Sequence, residues 1–280
     1  MTKAAVEFAE IGPEAVKLVI FDLAGTTVDY GCIAPVAAFV AGFKEFGVTI
    51  SQQQAREPMG MEKRAHIKTV GLIPEVAEQW QAVHAQGMTD DDIDAMYHAF
   101  VPLLMKTLPD YSALVPGTMD CVRYLQQKAI PYAATTGYFR EAANCVLDSA
   151  EKSGFCPSTS CCATEVRAGR PAPWMIYHCM ESLSAFPPSA VVNVGDTKVD
   201  VESGRNAGVW SVGVANSGNE MGLSLDEVNK IDRETYAECV QRAQESLKSA
   251  GAHYVIDTVA GLPQVIVDIE ARIKLGEKPS

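Results

Sequence analysis

The sequence predicts an α/β protein: a doubly wound parallel sheet with an all-helical segment inserted after its first strand. Three observations carry that prediction. The run Val16 to Phe21 is apolar almost throughout and ends at Asp22, which suits a strand buried on both faces. Residues 34 to 112 read as helix from end to end. Beyond Pro116-Gly117, strand and helix signals alternate, the pattern of βαβ units and a parallel sheet.

Within the inserted stretch, Pro35 to Phe46 carries apolar residues at helical spacing, and Met61 to Val70 forms a second helix. Pro74, at a favoured first helical position, opens a third that runs to Ala85. Thr89-Asp-Asp-Asp92 supplies a cap and an acidic first turn for a fourth, striped by Met96, Phe100 and Leu103 and ending near Thr107. In the second half, helices are expected over Thr118 to Lys128, Arg140 to Lys152, Pro173 to Leu183, Val199 to Asn206, Arg233 to Lys248 and Leu262 to Lys274. The strands between them are Pro131 to Thr135, Ala190 to Val194, Trp210 to Val214 and His253 to Ile256. The expected division is an α/β core of residues 1–33 and 113–280 and a helical domain of residues 34–112.

The chain has 280 residues, a formal net charge of −12 and a pI near 4.9. With 48% hydrophobic and 21% charged residues it can bury a proper core, which excludes disorder over most of its length. The acidic balance and the lack of a Lys/Arg run exclude a general nucleic-acid partner, so an anionic substrate must be held by local positive charge. No apolar stretch approaches the length of a membrane span, and no membrane partner is expected. Met1 to Glu10 lacks the apolar core of a signal peptide, so the cytoplasm is the expected location. The eight cysteines show neither a Cys-x-x-Cys pair nor zinc spacing and read as free, mostly buried thiols. Cys32 stands apart because it closely follows the first of the motifs below.

Three segments fall where strands should end, and in such sheets sites form beyond the carboxyl ends of strands. They are Asp22-Leu-Ala-Gly-Thr-Thr-Val-Asp29, Thr135-Thr-Gly-Tyr138 and Gly195-Asp-Thr-Lys-Val-Asp200. Any one alone reads as a turn or helix cap. In this order, with Arg170 between the second and third, they resemble the haloacid dehalogenase superfamily. That resemblance implies a haloacid dehalogenase-like core, with residues 34–112 as a mobile cap. It also implies phosphoryl transfer. Asp22 takes the place of a nucleophile that forms an aspartyl phosphate, and Mg2+ offsets the repulsion between the two anions. Asp196 supplies a second metal ligand, supported by Asp200. Thr136 and the amides around Gly137 hold phosphate oxygens, and Arg170 stabilises the developing charge. The bland alternatives are helix or turn caps for the three aspartates and a solvated loop arginine for Arg170.

One departure narrows the reading. Most phosphatases of that superfamily carry a second Asp two positions after the nucleophile, which protonates an alcohol leaving group. Here that position is Ala24. A substitute is visible in Glu57-Pro-Met-Gly-Met-Glu-Lys-Arg-Ala-His66, where Lys63, His66, Ile67 and Val70 share one helical face. A lysine desolvated on an apolar face loses basicity, and its neutral amine can attack a carbonyl; a snorkelling surface lysine is the alternative.

Asp22, Ala24, Cys32, Met59-Gly60, Lys63, His66, Thr136-Gly-Tyr138, Gly169-Arg-Pro171 and Gly195-Asp-Thr197 together resemble the phosphonoacetaldehyde hydrolase family. The resemblance implies Mg2+-dependent cleavage of a carbon–phosphorus bond in a small phosphonate, giving acetaldehyde and phosphate. An imine at Lys63 would serve as the electron sink, and the Ala24 carbonyl would be a metal ligand. Met59 and His66 would lie near the imine and assist its proton transfers, Cys32 and Tyr138 would line the substrate site, and the working unit would be a homodimer. A packing role stays open for Met59 and Tyr138, and a core or capping role for His66.

Overall fold

The computed structural model describes residues 15–280. The reading of Met1 to Glu10, and the first residues of the expected core, lie outside that range. Six strands form one parallel sheet in the order β3-β2-β1-β4-β5-β6. They are β1 (Leu18–Asp22), β2 (Tyr132–Thr136), β3 (Thr159–Cys162), β4 (Val191–Gly195), β5 (Trp210–Val214) and β6 (Tyr254–Ile256). β1, β2, β4 and β5 are buried along their whole length. Side chains alternate between the faces with the period of the strand. Val19 and Phe21 join the larger core, while Leu18 and Ile20 pack with Met175, Ile176 and Cys179 on the other side.

Between β1 and β2 the chain forms α1 (Ile33–Glu45), α2 (Gln52–Arg56), α3 (Lys63–Gly71), α4 (Pro74–His84) and α5 (Asp90–Thr107). This is the expected helical insertion. The segments that lead into and out of it run side by side: Asp29 N–H donates to Ala113 O (3.1 Å), and Val115 N–H to Thr27 O (2.9 Å). The remaining helices are α6 (Thr118–Gln127), α7 (Arg140–Lys152), α8 (Trp174–Ser182), α9 (Lys198–Ala207), α10 (Leu225–Val228), α11 (Arg233–Ser249) and α12 (Leu262–Lys274). No described helix is long and apolar enough to cross a membrane.

Three elements escape a periodicity reading. The edge strand β3 is Thr-Ser-Cys-Cys, too short and too polar to register. α2 and α10 span 5 and 4 residues, less than a full apolar stripe. The sheet places the site. β2 and β3 lie on one side of β1 and β4 to β6 on the other, so the strand order reverses at β1. The crevice beyond the carboxyl ends of β2, β1 and β4 is the topological switch point, where ligands bind in open α/β sheets.

Candidate active site

Register puts the motifs side by side. Asp22, the last residue of β1, pairs with Thr135 of β2, and Phe21 pairs with Val194, next to the end of β4. A small cavity of about 20 Å³ lies at their tips. The core contributes Asp22, Ala24, Thr136, Gly137, Tyr138 and Arg170 to its wall; Cys32, Met59 and Lys63 come from the start of α1 and from the insertion. The insertion is docked against the core. A Cβ on Gly137 would stand 2.5 Å from the Met61 carbonyl, and one on Gly60 would overlap Thr197. Glycine is what lets the two surfaces meet there.

Arg170 is buried and central. Its Nη2 lies 2.7 Å from Asp22 Oδ1 and donates to Thr135 O (3.0 Å) and Thr135 Oγ1 (2.8 Å); its Nη1 stands 2.8 Å from Asp200 Oδ1. The Nη1 approach is an ion contact rather than an aligned hydrogen bond. Burial opposes the guanidinium charge, but Asp200 and Asp22 more than offset it and hold the pKa above its ordinary value. Arg170 is therefore not a solvated loop residue.

Asp22, Asp196 and Asp200 are buried and bring one oxygen each to within 4.8 Å of one another. Asp196 accepts from Thr26 Oγ1 (2.7 Å) and from the Asn219 amide (2.7 Å). Burial, and then the charges of Asp22 and Asp200, push its pKa well above the carboxylate range. Burial, then Asp22, lifts Asp200 to about 6 against the pull of Arg170. Asp200 also fills the capping box of α9, accepting from the Thr197 amide (3.1 Å), so its capping and its place in the acidic cluster coexist. Three clustered carboxylates facing one guanidinium leave a deficit of positive charge. Hard oxygen donors suit a divalent cation such as Mg2+. The Ala24 carbonyl, beside the cavity, accepts no hydrogen bond among the described residues and is free to join them.

Lys63 opens α3 and is buried, with Nζ 5.0 Å from the Tyr138 ring centroid and 5.6 Å from that of Phe39. It does not snorkel. Burial lowers its pKa, opposed by Cys32, Asp22 and Glu62 and reinforced by Arg170. Cys32 is a neutral thiol: burial, then Asp196 and Asp29, push its pKa well above the ordinary value. Burial, and then neighbouring charges led by Asp29, raise the Tyr138 hydroxyl, which has no partner among the described residues. His66 does not line the cavity. It sits one layer back, stacked on Phe39 at 3.7 Å with Nε2 2.9 Å from Ala55 O, as the core-histidine alternative described. Burial and then Lys63 hold it well below its ordinary pKa, so it is neutral and its Nδ1 is buried without a partner.

Other contributors were not singled out from the sequence. Thr26 and Asn219 orient Asp196, and Ser217 Oγ donates to Gly25 O (2.8 Å). The signal was present: Ala215-Asn-Ser-Gly-Asn219 is a turn-forming cluster at the carboxyl end of β5.

The haloacid dehalogenase-like hydrolase family matches residues 16–208. A phosphonoacetaldehyde hydrolase of Paraburkholderia phytofirmans is 43% identical over 264 residues, covering 94% of this chain and 99% of that protein. The chain belongs to the phosphonoacetaldehyde hydrolase family. Another relative, from Bacillus cytotoxicus, is 40% identical over 91% of this chain and 97% of its own length. Among solved structures, a phosphonoacetaldehyde hydrolase-like protein from Oleispira antarctica superposes with a TM-score of 0.93 at 37% identity, with both chains covered completely. A β-phosphoglucomutase of Clostridium difficile, at 14% identity and a TM-score of 0.69, shares the fold. Ala24 and the buried amine of Lys63 line the same cavity.

Proposed function

We propose that this protein hydrolyses the carbon–phosphorus bond of phosphonoacetaldehyde to acetaldehyde and phosphate, with Lys63 as imine former and Asp22 as nucleophile. The observation that carries the reading is Lys63, a buried amine with lowered basicity in the same small cavity as Asp22 and Ala24. The neutral Nζ adds to the aldehyde carbon and water departs, leaving a protonated imine. An Asp22 oxygen then bonds to phosphorus while the C–P bond breaks, and its electron pair flows into the C=N+ unit to give an enamine. Protonation at carbon and hydrolysis of the imine release acetaldehyde and restore Lys63. A further water cleaves the aspartyl phosphate. Over the cycle one water leaves and two enter, which balances a net hydrolysis.

Asp22, Asp196 and the Ala24 carbonyl would hold Mg2+, with Asp200 in support; the ion supplies charge neutralisation between carboxylate and phosphonate. Thr136, the Gly137 amide and Arg170 take the phosphonate oxygens. Cys32, Met59 and Tyr138 line the organic half of the site. His66, one layer behind the cavity wall with Nδ1 unpartnered among the described residues, would assist the proton transfers from there rather than by touching substrate. Residues 34–112 act as a cap domain on the core formed by the rest of the chain, and the cavity of about 20 Å³, room for a single water, means the cap must open for substrate to enter. Cytoplasmic residence fits the eight free cysteines. A homodimer is the assembly that the family resemblance implies.

Borohydride added during turnover should trap the imine as a secondary amine, inactivate the enzyme and leave an adduct on the Lys63 peptide by mass spectrometry. Lys63→Arg should be inactive, because guanidinium does not deprotonate to attack a carbonyl. An adduct on another lysine, or an active arginine variant, would sink the mechanism.

A further inference from the structure

Arg56 closes α2 and so belongs to the insertion, yet its guanidinium is directed at the core. Nη1 donates to Gly31 O (2.8 Å) and to Asn219 Oδ1 (3.2 Å), and Asn219 Nδ2 donates back to the Arg56 backbone carbonyl (3.1 Å). The two residues thus hold each other reciprocally across the seam between the helical insertion and the loop that follows β5. The same Asn219 gives its backbone N–H to Asp196 Oδ2 (2.7 Å). The loop is also tied to the core segment that leads into the insertion, since Gly31 N–H donates to Ser217 O (2.8 Å). Gly222, at φ +70°, lies against the Arg56 side chain: a Cβ there would stand 3.0 Å from Nε. Arg56 Nη2, meanwhile, is buried with no partner among the described residues. An unpaired buried donor costs stability, so stability alone does not explain the placement of this arginine.

We propose that Arg56 and Asn219 form a clasp that couples docking of the helical insertion to the orientation of Asp196. The two oxygens of Asp196 have donors of different origin. Oδ1 is held by Thr26 on the core, whatever the insertion does. Oδ2 is held by the Asn219 amide, whose loop the clasp tethers to the insertion. Undocking breaks the clasp and releases the Asn219 end of the loop, while Ser217 stays bonded to Gly25 and Gly31 of the core, so the donor to Oδ2 is held less firmly. The metal site is then complete only when the insertion is closed, and by reciprocity a bound ion favours closure. Arg56 and Asn219 are positioning residues; neither lines the catalytic cavity. The proposal rests on the Mg2+ site proposed above.

The test is calorimetric titration of Mg2+ into the full chain without substrate, for the wild type, Arg56→Met, Asn219→Leu and the double variant. Each single change should weaken Mg2+ binding by about tenfold, the lower end of what outer-shell partners contribute. The double variant should be no weaker than the worse single, because both remove the same link. Hydrogen exchange at the amides of residues 217–222 should accelerate in every variant, and Arg56→Lys, which keeps a donor, should recover part of the affinity. Unchanged Mg2+ affinity in the singles, or losses that multiply in the double, would overturn the clasp. Should Arg56→Met not fold, Arg56→Lys and Asn219→Leu decide by the same measures. A wild type that binds no Mg2+ would overturn the metal site and the clasp together. Clasp behaviour as expected in a protein that does not cleave phosphonoacetaldehyde would overturn only the proposed activity.

Discussion

Ala24 and Lys63 face the same cavity, and their chemistry is complementary. An alkoxide leaving group needs an acid, whereas an enamine leaves as a neutral amine conjugate and needs none. Ala24→Asp therefore should not help. A new carboxylate beside Asp22 repels an incoming phosphonate and competes for the cation, and about 20 Å³ leaves it little room. We expect at least a tenfold fall in kcat/KM for phosphonoacetaldehyde, about 1.4 kcal/mol or more of lost transition-state stabilisation, with a trace of monoester phosphatase activity; faster C–P cleavage would show that the acid had been limiting. Lys63 carries a second consequence. No carboxylate stands within salt-bridge distance of its Nζ among the described residues. Its folded-state pKa lies below the ordinary 10.5, so the unfolded chain holds that proton more tightly. The resulting instability is greatest below the folded-state pKa and fades as pH rises through the ordinary value. Lys63→Met should thus be inactive yet more stable than the wild type by roughly 1–3 kcal/mol in urea unfolding at pH 7. A destabilised methionine variant would mean that the amine is better solvated than its burial indicates.

At the scale of elements, α1 is the connection through which the insertion leaves the core. Its N-cap residue, Cys32, sits at φ 52° and makes no side-chain cap. Capping falls instead to Asp29, whose carboxylate oxygens accept from Ile33 N–H and Ala34 N–H, both at 3.0 Å. Burial raises its pKa from 3.8 to about 7, against the pull of those two amides and Arg56. Folded protein then holds a proton that unfolded chain has lost, so stability falls as pH rises between those two values and levels off above them. Asp29→Asn keeps an acceptor and removes the titration. Measured against that variant, the wild type should lose about 2–3 kcal/mol between pH 5 and pH 8. A difference independent of pH would show that Asp29 stays ionised throughout.

For the whole molecule, the acidic cluster couples metal binding to stability. Asp22, Asp196 and Asp200 are pressed together in the interior, and folding without a counter-ion works against their mutual repulsion. An ion that binds the folded chain alone stabilises it by mass action. Mg2+ at a hundredfold excess over its Kd should raise the melting temperature by about 5 °C for a chain of this size. Chelation should reverse the shift and stop turnover together. Asp196→Ala should abolish the shift, and full activity in metal-free buffer would rule out the mechanism.

The sequence by itself determined the architecture and which segments gather at the candidate site. A run as apolar as Val16 to Phe21, a helical stretch of about eighty residues and the alternation after Pro116 leave few folds open. The motifs at strand ends are short and local, which is why Asp22, Thr136, Arg170 and Asp196 were legible one segment at a time. What only the tertiary structure decided depends on contacts across long sequence separation. Asn219 meets Arg56 and Asp196 because β5 ends beside β4 and the insertion folds down over both. His66 shares a helical face with Lys63, as its spacing required, but the stacking of Phe39 against it places it behind the cavity wall. Periodicity places a residue on a face of its own helix; it carries no information about which surface that face meets, and the position of the insertion over the sheet supplies it.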